Sequence, residues 1–175
     1  MRSGPVRPPN LLDVATIEPA RFRQVLGHFP TGVTIITGLD AAGQPGGITI
    51  GSFASVSLDP PLVGFLPGLG SSTWPQIAAS GKFCANILGA DQGDLCWRFA
   101  KEAEGRYDGI DWKPAPSGSP ILPGVIGWID CTSEETYTMG DHWFVLGRVQ
   151  ELHCEADVTD AMIFFKGKVS GVRPL

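Results

Sequence analysis

The chain has 175 residues, 43% of them hydrophobic and only 18% charged, a length that suits one domain burying about two-thirds of its unfolded surface. With so little charge, part of that surface must be covered by something else, and self-association is the simplest cover. The net charge of −5 and pI near 5.1 repel a polyanion, and no Lys/Arg run offsets them, which argues against nucleic acid as a partner.

The first ten residues, MRSGPVRPPN, are short of apolar side chains and carry three prolines. They read as neither a signal peptide nor a membrane span, so a disordered or draped arm is expected over 1–16, ahead of one domain over 17–172. From Glu18 the chain reads EPARFRQVLGHFP, with Phe22, Val25, Leu26 and Phe29 at helical spacing, Pro19 suited to a first turn and Pro30 ending the run. That predicts an amphipathic helix. Three β-branched segments follow, near 33–37, 48–57 and 62–66, broken by Gly/Asp/Pro turns, and each predicts a strand.

Ser71, Ser72 and Thr73 precede Trp74-Pro75 and predict a capped short helix. A second helix is predicted from a cap at Asp91 to about Ala100, with the strand KFCANIL between the two. Residues 101–124, rich in Gly, Pro, Asp and Ser, form a connection long enough to be functional or packed against a partner. Two long strands, about 125–138 and 142–154, and a short one near 162–165 complete the pattern. Strands joined mostly by turns, with three small helices, make a mainly β, antiparallel barrel the expected fold.

Metal chemistry finds no support. Cys84, Cys96, Cys131 and Cys154 form no CxxC pair, the three histidines show no HxxxH spacing, and His153 and Cys154 point to opposite faces of a strand. Four buried thiols in a reducing cytoplasm are expected instead.

Three stretches carry candidate chemistry. In ITIGSFASVS one strand face holds Thr49, Gly51, Phe53, Ser55 and Ser57, with Ser52 on the other. Small and hydroxylated around one aromatic, that face suits either a flat, polar-edged ligand lying on the backbone or ordinary cross-strand Ser/Thr pairs. PGLGSSTWP offers the hydroxyls of Ser71, Ser72 and Thr73 at a helix start, where a phosphate or simple capping are the two readings. TMGDHWFVLGRV places Asp141 and His142 at a strand entrance, as a turn or as a turn that also presents an imidazole to a site.

These stretches, together with TGVTIITGLDAAGQPGG, KFCANIL, DQGDLCWRFA and RYDGIDW in the same order, resemble the flavin reductase-like family, the reductase components of two-component flavin monooxygenases. The likeness runs over roughly 18–170. It implies a split β-barrel of the FMN-binding, Greek-key type with a few short helices, acting as a cytoplasmic homodimer. It also implies binding of FMN or FAD, reduction by NADH or NADPH, and a partner monooxygenase that receives reduced flavin, while charge and composition argue against nucleic acid or membrane as partners. By resemblance, residues 49–57 line the flavin ring, Ser71, Ser72 and Thr73 lie by its phosphate end, and His142 lies by the nicotinamide side.

Two departures stand out. Gly51 replaces a serine frequent in the family. FFKGKV replaces a tyrosine-bearing stretch, leaving Phe164, Phe165 and Lys166 as stand-ins for stacking and phosphate pairing, with barrel packing the other reading of the phenylalanines. Hydride transfer needs positioning and charge stabilisation rather than a nucleophile, which casts His142 as an orienting group and Asp141 as its partner. A non-catalytic flavin carrier is the alternative function.

Overall fold

Short β-branched runs broken by Gly, Asp and Pro satisfy their backbone most readily as an antiparallel sheet. The computed structural model describes residues 17–101, 104–158 and 160–172, so the arm expected over 1–16 lies outside the described residues. The strands are β1 Thr31–Gly32, β2 Thr34–Leu39, β3 Pro45–Ile50, β4 Ala54–Leu58, β5 Pro61–Phe65, β6 Lys82–Ile87, β7 Lys113–Pro114, β8 Pro120–Ile121, β9 Gly127–Met139, β10 His142–Cys154, β11 Ala161–Phe165 and β12 Lys168–Val172. The helices are α1 Pro19–Leu26, α2 Thr73–Ala78 and α3 Gly93–Lys101. Seven strands form one sheet in the order β3-β2-β6-β9-β10-β5-β4, while β1-β11-β12 and β7-β8 form smaller ones.

β3 and β4 follow one another in sequence yet occupy opposite edges of the seven-stranded sheet. Four Cα steps span at most about 14 Å, whereas six strand gaps in a flat sheet would part the edges by about 29 Å. The sheet must therefore curl until its edges meet, which is the split β-barrel expected. This corrects the single strand expected over 48–57. The chain leaves one edge after Ile50 and enters the other at Ala54, and Ser52 holds the crossing by accepting a 2.9 Å hydrogen bond from the Leu66 backbone N–H.

β2 is buried on both faces, so its alternation feeds two cores. Ile36 joins the barrel interior with Phe65, Trp74, Phe83 and Val145, while Ile35 packs outward with Leu88, Phe99, Leu122 and Met162. Phe65 meets Trp74 and Phe83 edge to face at 5.0 and 5.2 Å between centroids, an arrangement worth more than the buried area alone. A side chain at Gly147 would collide with the Phe83 ring, which is why β10 carries glycine there. Thr37, Asn86 and Asp130 are buried but bonded, Asn86 taking the Leu122 N–H at 2.8 Å and Asp130 the Ser117 N–H at 2.8 Å. The long connection is thereby tied to the barrel wall.

Other expectations need adjustment. α3 begins at Gly93, directly after Gln92 rather than Asp91, and Cys154 is exposed while the other three cysteines are buried. α1 forms as expected but buries no residue, leaving Phe22, Val25, Leu26 and Phe29 between 49% and 69% exposed. Among the described residues no helix is long and apolar enough to cross a membrane.

Candidate functional site

The site is built around residues 66–73, which leave β5 and lead into α2. Met139 pairs with His142 across a two-residue turn, and Gly140, at φ +62°, supplies the left-handed backbone that such a turn requires. The plain reading of GDH as a turn is therefore correct. The turn is also stitched to the neighbouring segment: the Leu69 N–H donates to the Asp141 carbonyl and the Trp143 N–H to the Pro67 carbonyl, both at 2.9 Å. These bonds lay the imidazole over Gly68, where an added Cβ would sit 3.8 Å from His142 Nε2.

His142 Nδ1 lies 2.7 Å from Asp141 Oδ1. The hydrogen bond to His142, and then its charge, hold the Asp141 carboxyl below the usual aspartate range. An ionised partner at Nδ1 fixes the ring's orientation and leaves Nε2 facing Gly68.

At the other end of the segment, the Ser71 hydroxyl caps α2 by accepting the Trp74 N–H at 3.1 Å. The Thr73 hydroxyl accepts from Arg106 at 2.9 Å, and the same guanidinium nitrogen donates to the Gly47 carbonyl. A polar cavity of about 250 Å³ lies there, lined by Gln44, Thr73, Gln76, Arg106 and Tyr107 among others. Arg106 was missed in the sequence. It opens the RYDGIDW stretch that carries part of the resemblance, but it sits in a Gly/Asp loop 33 positions beyond Thr73, and nothing local in that loop ties it to Thr73.

The structure thus gathers Ser52, Ser71, Ser72, Thr73, Asp141 and His142 along one segment. Gly51 and Phe53 flank Ser52, Phe53 packing against the barrel core. Ser55 and Ser57 lie on β4, opposite Val63 and Leu62 of β5, with a bulge between them. Two expected site residues stand apart. Thr49 donates its hydroxyl to the Cys96 carbonyl at 2.7 Å, committing it to α3. Lys166 lies in the β11–β12 turn at φ +50°, its ammonium 5.3 Å from the Phe165 ring centroid. Its sheet comes near Gly51 through Thr31, which pairs with Phe164 and whose hydroxyl lies 3.0 Å from where a Gly51 Cβ would be.

A flat ligand with polar edges and a phosphate fits this donor set. Among the described residues Ser55, Ser57 and Ser72 make no side-chain hydrogen bond within the protein, so their hydroxyls are free to donate. A Cβ on Gly70 would meet nothing within 4 Å, which leaves open backbone beside them.

Comparison with known proteins decides the family. The family model described as the flavin reductase like domain matches residues 26–173. The chain belongs to the flavin reductase-like family. It is 44% identical over 157 residues to a flavin reductase of Pseudomonas putida, covering 90% of this chain and 92% of that protein. It is 46% identical over 158 residues to HsaB, the reductase subunit of a flavin-dependent monooxygenase from Rhodococcus jostii (strain RHA1), covering 90% and 80%. A Streptomyces globisporus NADH:FAD oxidoreductase, solved in complex with NAD and FAD fragments, superposes with a TM-score of 0.83 at 31% identity, covering 92% of this chain and 98% of that one.

Proposed function

We infer that this chain is an NAD(P)H:flavin oxidoreductase that reduces FMN or FAD and supplies the reduced flavin to a partner monooxygenase. The observation that carries the reading is the His142 imidazole laid over Gly68, on the same segment that presents Ser71, Ser72 and Thr73, in a chain of this family. Flavin bound there supplies the hydride acceptor and NADH or NADPH the donor.

The protein's own part is positioning and electrostatics. Gly51, Ser52, Phe53, Ser55 and Ser57 form the wall on which the ring lies. Ser72 and Thr73, with Arg106 behind Thr73, hold the phosphate end. His142, oriented by Asp141, places the nicotinamide and faces the charge that moves onto the ring. Lys166 meets a second phosphate only if the nucleotide extends past Gly51 towards β11. No side chain is needed as nucleophile or strong base.

The exposed apolar face of α1, with Phe29 just beyond it, supports a homodimer, because Phe22, Val25, Leu26 and Phe29 stay about half or more exposed among the described residues. A reducing cytoplasm suits the three buried free thiols. The discriminating experiment is a steady-state assay crossing FMN and FAD with NADH and NADPH. Oxidation of at least one nicotinamide by at least one flavin, well above the rate without protein, is expected. Tight flavin binding with no turnover in any combination would leave the non-catalytic carrier as the reading.

A further inference from the structure

Glycine stands at position 51 for a reason that its backbone does not supply. Its φ is not among the left-handed ones that require glycine, and it lies at an exposed bend between β3 and β4. An added Cβ would meet one side chain: the Thr31 hydroxyl at 3.0 Å and the Thr31 Cβ at 4.0 Å. A 3.0 Å contact is too tight for the hydroxyl to keep its place, so a side chain at 51 would displace it.

That hydroxyl is held firmly. β1 pairs Thr31 with Phe164, and the Phe164 ring meets Trp97 of α3 edge-on at 6.4 Å between centroids. Two residues on from Thr31, the Val33 carbonyl accepts the Leu88 N–H at 3.1 Å. One further on, the Thr34 hydroxyl donates to the Ile50 carbonyl at 3.2 Å, which ties the start of β2 to the residue just before Gly51. Threonine itself is stiff at χ1.

A threonine so fixed in a sheet commonly serves the protein's own backbone. Thr34, Thr37 and Thr49 do so, each donating to a carbonyl. Among the described residues the Thr31 hydroxyl makes no such bond. Thr31 is half-buried and Gly51 beside it is exposed, which leaves the hydroxyl and the bare backbone open together. A planar ligand can come down onto Gly51 and meet there a group able both to donate and to accept.

We propose that Thr31 is a further flavin-binding residue: its hydroxyl bonds a polar atom of the ring lying on Gly51, and position 51 carries no side chain so that it can. The proposal rests on the reading that residues 51–57 carry the flavin ring, and it adds the small sheet β1-β11-β12 to that wall. Because the contact is to the ring, FMN and riboflavin share it, unlike the contacts of Ser72 and Thr73.

Titrations followed by quenching of flavin fluorescence read the contact without turnover. Thr31→Val keeps the shape and removes the hydroxyl, and should raise the Kd for FMN and for riboflavin alike, by roughly threefold to tenfold. Thr31→Ser keeps the hydroxyl and should bind nearly as wild type. Moving the hydroxyl is the sharper test: Gly51→Ser, whose Oγ extends from the Cβ position beside Thr31, should recover most of the affinity lost in Thr31→Ala when the two are combined. An unchanged Kd for both flavins in Thr31→Val would overturn the proposal and leave the ring reading standing. Equal losses in Thr31→Val and Thr31→Ser would also overturn it, because they mark a packing role, and so would a loss for FMN without one for riboflavin. Wild-type protein that binds neither flavin saturably would remove the ring reading and the proposal with it.

Discussion

Replacing His142 with alanine separates its place in the turn from the role proposed for its imidazole. Its side chain is 46% exposed and its hydrogen-bond partner Asp141 is 95% exposed, so the substitution opens no cavity in the core. The turn is held by the backbone bonds from Leu69 and Trp143, which do not involve the imidazole. Stability should therefore fall by no more than about 1 kcal/mol. If the imidazole holds the proposed place, its removal should cost far more, roughly tenfold to a thousandfold in rate, as when a positioned donor is lost.

The assay is anaerobic stopped-flow reduction of protein-bound flavin, wild type against His142→Ala, at saturating and at low nicotinamide. A slower hydride-transfer step at saturation, with flavin affinity nearly unchanged, is the expected outcome. A defect seen only at low nicotinamide would reduce His142 to a binding residue, and normal rates at both concentrations would return GDH to a turn and nothing more. Asp141→Asn should give a smaller defect, because the amide still bonds the ring without its charge. The Asp141 carboxyl sits below its ordinary value of 3.8, so the carboxylate's part in this contact is whole above that value and is lost as pH falls through the lower folded value.

Ser72→Ala with Thr73→Ala should raise the KM for FMN much more than it lowers turnover at saturating flavin, because a phosphate is held equally in ground and transition states; riboflavin, lacking the phosphate, should be indifferent, and equal effects on both would remove the phosphate assignment. Asn86→Ala strips a buried group that serves Ile35, Thr37, Pro120 and Leu122, and equilibrium denaturation should register a loss of about 2–4 kcal/mol; a loss below about 1 kcal/mol would mean the long connection is held to the barrel otherwise. Iodoacetamide at pH 8 should label Cys154 in the native protein and spare Cys84 and Cys131, since burial pushes the Cys131 thiol up from 9.0 to about 12 and Cys84 higher still. Those raised values also set a sign: their contribution to stability is whole below pH 9 and is lost as pH rises towards the folded values, so alkaline unfolding should begin above pH 9.

How much of this was legible in the sequence depends on whether a feature repeats along the chain or is made by distant parts of it. The strands KFCANIL and HWFVLGRV stand out because alternation and turn residues are local signals, and the hairpin at Gly140-Asp141 follows from them. The break at 51–53 was illegible for a physical reason. Gly51, Ser52 and Phe53 continue the small-and-apolar alternation of their neighbours, and what ends the strand is a bond from Leu66, fourteen residues on. Thr49 shows the same limit: nothing in ITIGSFASVS reveals that its hydroxyl is taken by the carbonyl of Cys96.

Arg106 is the sharper case, because a loop arginine acquires meaning only when the fold carries it to Thr73 and Gly47. Cross-chain hydrogen bonds of this kind decide which of several plausible polar side chains remain free to meet a ligand. Among the described residues Ser55, Ser57 and Ser72 keep free hydroxyls, while Ser52, Ser71 and Thr49 are partly committed to the protein's own backbone. Pattern therefore marked the candidate site along the chain, and hydrogen-bond competition within the fold selects the groups in it that are free to meet a ligand.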